Sequence, residues 1–122
     1  MIGYVTLGTN DLQGSAKFYD ELLKLLGASR FMDMESFIAW GTDQSSPMVS
    51  IIKPYDGEAA TVGNGVMVSL QASSREQVDA LYKKAIELGG QDEGEPGNRG
   101  DNFYAGYFRD LDGNKLNAFF IG

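Results

Sequence analysis

Two side chains that carry much of enzyme chemistry are missing: the 122-residue chain has no histidine and no cysteine. That removes the commonest metal ligand, the usual acid–base at neutral pH, thiolate nucleophiles, Fe–S clusters and disulfides. Carboxylates, phenols, amides and thioethers remain. Asp33, Glu35, Asp56 and Glu58 fall at expected strand ends or in loops, where solvated charges belong. Asp110 and Asp112 stand in the run Asp-Leu-Asp-Gly-Asn and read as turn formers rather than catalytic acids. A tyrosine titrates near pH ~10, so it needs a strong shift before it can serve as a base. Arg99 has two readings, a clamp for an anionic substrate or a loop charge. Gly94, Gly97 and Gly100 do not make a phosphate loop, because neither Lys-Ser/Thr nor a helix follows them.

The elements that must position these groups follow from periodicity. Ile2–Gly8 reads as a strand, and Asp11 as the N-cap of a helix whose stripe is Leu12, Ala16, Tyr19, Leu23 and Leu26, ended by Gly27. Strands are expected at Ala28–Met34, Ser36–Gly41 and Met48–Lys53, the last stopped by Pro54. Tyr55–Asn64 has linker composition, and Tyr55 could serve as a lid there. A strand at Val66–Ala72 then leads to Ser73 and Glu76, spaced as a capping box. A second helix carries Val78, Leu81, Ala85 and Leu88 and ends at Gly89-Gly90. A weak strand at Gln91–Glu93, a loop at Gly94–Asn102, and strands at Phe103–Arg109 and Lys115–Ile121 complete the chain. The last two are joined by a hairpin turn, Asp110–Asn114.

A shift of 62 positions lays the helices on each other, Ala16 on Val78, Tyr19 on Leu81 and Leu23 on Ala85. The chain therefore reads as two copies of a β-α-β-β-β unit. The opening Met1-Ile-Gly-Tyr-Val-Thr-Leu-Gly-Thr-Asn-Asp-Leu, with Phe18-Tyr19 and Leu26-Gly27, resembles the start of the vicinal oxygen chelate superfamily (glyoxalase I, fosfomycin-resistance thiol transferases, extradiol dioxygenases, bleomycin-resistance proteins). Val78-Asp79-Ala80-Leu81, Gly89-Gly90, Pro96-Gly97 and Arg109-Asp110-Leu111-Asp112-Gly113-Asn114-Lys115-Leu116 resemble its second half. The resemblance implies an α+β fold in which two βαβββ modules form an open, incomplete barrel. It implies one glyoxalase-like domain over 1–122, with modules at about 1–55 and 65–122, assembled as a homodimer.

Metal-dependent relatives carry His on the first strand, His on the fifth and Glu on the last; those places here hold Tyr4, Met67 and Asn117. None is a good divalent-metal ligand, so no metal and no cofactor is expected; only a carboxylate-rich Mg²⁺ or Ca²⁺ site stays thinkable. Strand alternation places Ile2, Tyr4 and Thr6 on one face, Met67, Ser69 and Gln71 on another strand's equivalent face, and Lys115, Asn117 and Phe119 likewise. If Arg109 pairs with Lys115, Tyr107 lies opposite Asn117. The candidate cleft is thus Tyr4, Thr6, Met67, Ser69, Tyr107, Asn117 and Phe119. Trp40 is an eighth candidate; it alternates with Ile38 and suits either a ligand stack or the core.

Ten Lys+Arg against seventeen Asp+Glu give a net charge of −7, which argues against nucleic acid or an anionic membrane as partner. No run is long and apolar enough for a membrane span, no signal pattern opens the chain, and a cytoplasmic setting is expected. Three functions fit. The first is a metal-independent small-molecule binder in the manner of the bleomycin-resistance branch, which sequesters cationic aromatic drugs. The second is a glyoxalase-like lyase with another acid–base, drawn from Tyr4, Tyr107 or a buried carboxylate. The third is a regulatory domain that binds a metabolite or only itself.

Overall fold

The structure is a computed structural model that describes residues 1–122. The first half contains β1 (Tyr4–Gly8), α1 (Leu12–Lys24), β2 (Ser29–Asp33), β3 (Phe37–Gly41) and β4 (Met48–Ile52). After a loop, the second half repeats the order with β5 (Val68–Gln71), α2 (Arg75–Glu87), β6 (Gln91–Asn98), β7 (Phe103–Arg109) and β8 (Lys115–Ile121). The strands form two separate four-stranded sheets, ordered β1-β4-β3-β2 and β5-β8-β7-β6. In each, the first strand pairs parallel with the last and the remaining pairs are antiparallel. The architecture is therefore the expected α+β pair of βαβββ modules, with no closed barrel.

Alternation along the strands divides each sheet into a helix-covered and a helix-free face. Leu7, Ile38, Trp40 and Ile51 join Leu12, Phe18, Tyr19, Leu22 and Leu23 of α1 in the core. Leu70, Phe108, Leu116 and Ala118 do the same with Val78, Leu81 and Ala85 of α2. These belong to one cluster of 18 buried residues that runs through both modules.

Three local differences from the sequence reading have physical causes. The repeat runs at an offset of 63 through the first strand and the caps, Asp11 onto Ser74, and at the expected 62 at the helix ends, where the left-handed Gly27 and Gly89 coincide and the Ala28 and Gly90 N–H groups bond Leu23 and Ala85. An apolar stripe is wide enough to tolerate a one-residue slip, so the stripe alone could not distinguish 62 from 63. The cap of α2 is Ser74, not Ser73: its hydroxyl accepts the Gln77 N–H at 3.1 Å. The Gln77 carboxamide takes the Ser73 N–H at 2.8 Å and donates to the Leu25 carbonyl of the other module at 3.1 Å. Tertiary contact thus selects between two equally spaced caps. Finally, β6 runs through the stretch read as a loop, Gly94–Asn98, with register shifts that accommodate its glycines and Pro96.

The modules are tied by a buried carboxylate. Asp110, 3% exposed, accepts hydrogen bonds from the Tyr19 hydroxyl (2.6 Å), the Asn114 side chain (2.9 Å) and the backbone N–H groups of Asp112 and Asn114 (2.9 Å each). The Asn114 amide also donates to the Gly8 carbonyl at 2.9 Å, and the Asn10 N–H donates to Asp112 at 2.8 Å. Burial, the Asp110 charge and this hydrogen bond hold the Tyr19 phenol well above its ordinary pKa. Tyr19→Phe should therefore cost about 1.5–3 kcal/mol at pH 7, measured by urea unfolding, as a hydrogen bond to a buried charge is lost. Because the unfolded Tyr19 releases its proton first, wild-type stability should fall as pH rises from about 10; Tyr19→Phe should reduce that slope.

Candidate functional site

The parallel pairs place equivalent residues side by side. In the first sheet Thr6 of β1 lies opposite Ser50 of β4; in the second, Ser69 of β5 lies opposite Asn117 of β8. With the offset of 63, Thr6 corresponds to Ser69. The two modules thus set a hydroxyl beside a polar central residue on their helix-free faces. In the first sheet the pair satisfies itself: the Thr6 and Ser50 hydroxyls are 2.9 Å apart, and Ser50 donates to the Val5 carbonyl at 2.7 Å. In the second it does not. Asn117 is 1% exposed and its side-chain oxygen has no hydrogen-bond partner. An unpaired buried acceptor carries a desolvation penalty of roughly 1–3 kcal/mol.

Around Asn117 the register is as the hairpin implied. Tyr107 of β7 is directly opposite it, Arg109 opposite Lys115, and Ala105 opposite Phe119. Phe119 stacks on Phe103 at 5.6 Å between ring centroids. Met67 lies just before β5 and is half-exposed. Met67 and Tyr107 line a cavity of about 590 Å³ with Arg109, Lys115 and the loop residues Val62, Asn64 and Val66. Tyr4, 58% exposed, packs edge-on against Phe37 on the other sheet. The candidates are thereby distributed over two helix-free faces: Tyr4 and Thr6 on one, Ser69, Tyr107, Asn117 and Phe119 on the other.

Trp40 departs from the group. It lies on the helix-covered face, pairs with Val49, and is 1% exposed with its ring tilted against Tyr19 at 5.6 Å. Its indole N–H donates to Asp20 at 2.8 Å, which satisfies the one polar atom such a core position must pair. Arg30 forks onto the same carboxylate at 2.9 and 2.7 Å and holds Asp20 below the usual carboxylate range. Trp40 does contribute to the floor of a second groove, about 780 Å³, between the modules, with Val5, Leu23, Met67, Ser69 and Leu70. The cations Arg109 and Lys115 line the cavity beside Tyr107, and the sequence reading did not count them among the candidates. The signal was present, since alternation already put Lys115 on the Asn117 face.

Of the three acid–base candidates, Tyr4 lies exposed on the first sheet, Tyr107 stands opposite Asn117 on the second, and the carboxylate is tied into a closed network; two further phenols, outside that set, are perturbed. Asp110 is the buried carboxylate, and its oxygens are engaged by four donors. Tyr82 is pushed up to about 12 by burial and its bond to Asp92, and Tyr104 is raised by its bond to Asp79. Both shifts move the phenol away from service as a base.

The metal donors implied by the fold do not fit. A phenol, a thioether and a neutral amide at Tyr4, Met67 and Asn117 offer neither imidazole nor carboxylate. No cluster of three or more His, Cys, Asp or Glu side chains is arranged to hold an ion elsewhere.

Paired βαβββ modules with open sheet faces define one scaffold class, and the chain falls within it. The glyoxalase/bleomycin resistance protein/dioxygenase superfamily matches residues 1–118, and the chain belongs to that family. A glyoxalase/bleomycin resistance protein from Albidiferax ferrireducens T118 is 39% identical, with a TM-score of 0.90 over 98% of this chain and 97% of that one. A hypothetical protein, SA1046, from S. aureus is 29% identical, with a TM-score of 0.75 over 98% and 92% of the two chains. A lactoylglutathione lyase from Agrobacterium tumefaciens is similar in fold, at 17% identity and a TM-score of 0.70 over 98% and 92%. No curated protein matches the chain. Elemental analysis of untagged protein purified without chelator should find no near-stoichiometric Zn²⁺, Ni²⁺ or Fe²⁺. A metal whose loss followed Tyr4 or Asn117 substitution would overturn the donor-set argument.

Proposed function

We propose that this chain binds a small organic molecule on the helix-free face of its second sheet, without a metal or other cofactor. Ser69, Tyr107, Asn117 and Phe119 contact the ligand, and Met67 closes one side. The observation that carries this reading is the buried, unpartnered oxygen of Asn117 on a face that no helix covers. Nothing in the first sheet matches it, because Thr6 satisfies Ser50 there. Once the side chains that cover Asn117 move aside, a ligand hydroxyl or amine would supply the missing donor, and the neighbouring rings would bury its apolar part. The site is of the kind a binding protein needs; it does not require a nucleophile or a base.

The chain is proposed to act as one cytoplasmic domain that pairs with a second copy. Support for pairing comes from the apolar side chains left open beside β1 and β5: Ile2 (55% exposed), Tyr4 (58%), Val66 (58%) and Met67 (39%). Both strands have a free hydrogen-bonding edge, which a second copy would cover. Tyr4 and Thr6 would then reach a ligand from the first sheet of a neighbouring chain. No helix of the chain is long and apolar enough to cross a membrane.

Two outcomes test this. Asn117→Leu removes the unpaired acceptor at similar volume, so it should raise unfolding stability by about 1 kcal/mol while weakening ligand binding. A loss of stability instead would make Asn117 a structural residue. Sedimentation equilibrium at micromolar concentration should give twice the 13.3 kDa chain mass.

A further inference from the structure

On a chain of net charge −7, the helix-free face of the second sheet sets two cations against one aromatic ring and a third on the neighbouring strand position. The Lys115 ammonium lies 5.6 Å from the centre of the Tyr107 ring, and the Arg99 guanidinium carbon 5.5 Å from it. Arg109 pairs with Lys115 across the strands, on the same face. We propose that this face selects an organic carboxylate, its charge held by Lys115 and Arg109 and its apolar body laid on Tyr107 and Met67. The proposal rests on the binding reading above and names its ligand class.

Each cation is held differently. Arg109 is immobilised, its Nε donating to Glu93 at 2.7 Å and one terminal nitrogen to the Gly113 carbonyl at 3.0 Å. Its second terminal nitrogen remains available, on a guanidinium whose charge Glu93 partly offsets. Lys115 is half-buried and has neither an ion pair nor a hydrogen bond of its own. With only the Tyr107 ring facing it, this partly desolvated ammonium has its hydrogen-bond donors free for an anion.

Arg99 folds back over β6 because two glycines leave it room. A Cβ at Gly97 would stand 3.0 Å from one of its terminal nitrogens, and one at Gly94 3.3 Å from the other. Its remaining anchor is the Glu95 carbonyl, at 2.6 Å. Of the three acidic groups on β6, Glu93 is committed to Arg109 and Asp92 to Tyr82 and the Gly94 N–H, while the exposed Glu95 carboxylate, close enough to act on Tyr82, pairs with none of the three cations. The cavity beside these cations measures about 590 Å³ and is walled by Val62, Val66 and Met67 as well as by the charges. Apolar walls with one cationic end suit a hydrocarbon or aryl carboxylate better than a small inorganic anion.

The test is an NMR titration of the full chain with 2-naphthoate, its neutral carboxamide, the corresponding naphthylmethylamine, and inorganic phosphate. The proposal expects 2-naphthoate to perturb Ser69, Tyr107 and Lys115–Phe119, with at least tenfold tighter binding than the other three. Lys115→Gln should cost the carboxylate roughly tenfold and leave the carboxamide unchanged. Lys115→Arg should restore most of the loss. If the carboxamide or the amine binds as well as 2-naphthoate, the charge assignment is overturned while small-molecule binding survives. Equal binding of phosphate would overturn the role of the apolar walls. If none of the four perturbs this face, the binding reading fails with the proposal. If Lys115→Gln weakens only self-association and leaves 2-naphthoate binding intact, the cations serve an interface and the proposal falls.

Discussion

The carboxylate of Asp110 is the constraint on which both the fold and the site depend. A buried ionised group is tolerated only when its lone pairs are met, and here four donors meet them. Two come from the backbone of its own turn, one from Asn114 and one from Tyr19 in the other module. The first three fix the shape of the β7–β8 hairpin; the fourth, with Asn114 reaching Gly8, fixes where that hairpin stands relative to α1 and β1. Arg109 precedes this turn and Lys115 follows it. The side chains that give the second face its charge are therefore held at the two ends of a hydrogen-bonded turn.

Repetition makes the site easier to interpret, because the first module serves as an internal control for the second. The same parallel register sets Thr6 beside Ser50 and Ser69 beside Asn117. Hydroxyls are short and can donate to one another, so the first pair closes on itself and leaves nothing for a ligand. Replacing the central hydroxyl by a carboxamide introduces an acceptor that the neighbouring strands do not satisfy. The cations add to that asymmetry: sheet one has no equivalent of Lys115 or Arg109 on its helix-free face, where the strands carry Tyr4, Thr6, Phe37, Ala39, Met48, Ser50 and Ile52. Two copies of one scaffold thus present different chemistry on equivalent faces.

The expectations that survived were those fixed by short-range rules. Helix stripes, the Asp11 cap, the glycine stops and the Asp110–Asn114 turn each rest on a few adjacent residues, and they placed the elements and the Tyr107–Asn117 pairing. What sequence could not decide was settled by contacts distant along the chain. Ser73 and Ser74 both have the spacing of a cap, and only the bond from Gln77 to Leu25 of the other module favours one. Trp40 alternates correctly for either sheet face, and the partner that claims it, Asp20, is on a helix rather than a strand. Arg99 stands in a glycine-rich run that reads as flexible, yet those glycines are what permit its guanidinium to lie across Tyr107.

The molecule's acidity and the cationic face are compatible once distance is considered. Net charge acts through the field at long range, and at physiological ionic strength that field decays over about 8 Å. A carboxylate approaching from solution is therefore repelled only weakly by acidic groups elsewhere on the surface. At contact, an ammonium about 4 Å away in a medium of effective dielectric near 20 attracts it by a gross ~4 kcal/mol before desolvation is subtracted. The acidity of the whole chain therefore does not forbid an anion at this face. Composition alone does not identify the charge of a ligand, because an average over the whole chain has no information about which charges share a face. The strand register supplies that information, placing Lys115 and Arg109 opposite each other and Tyr107 one step further along the same side.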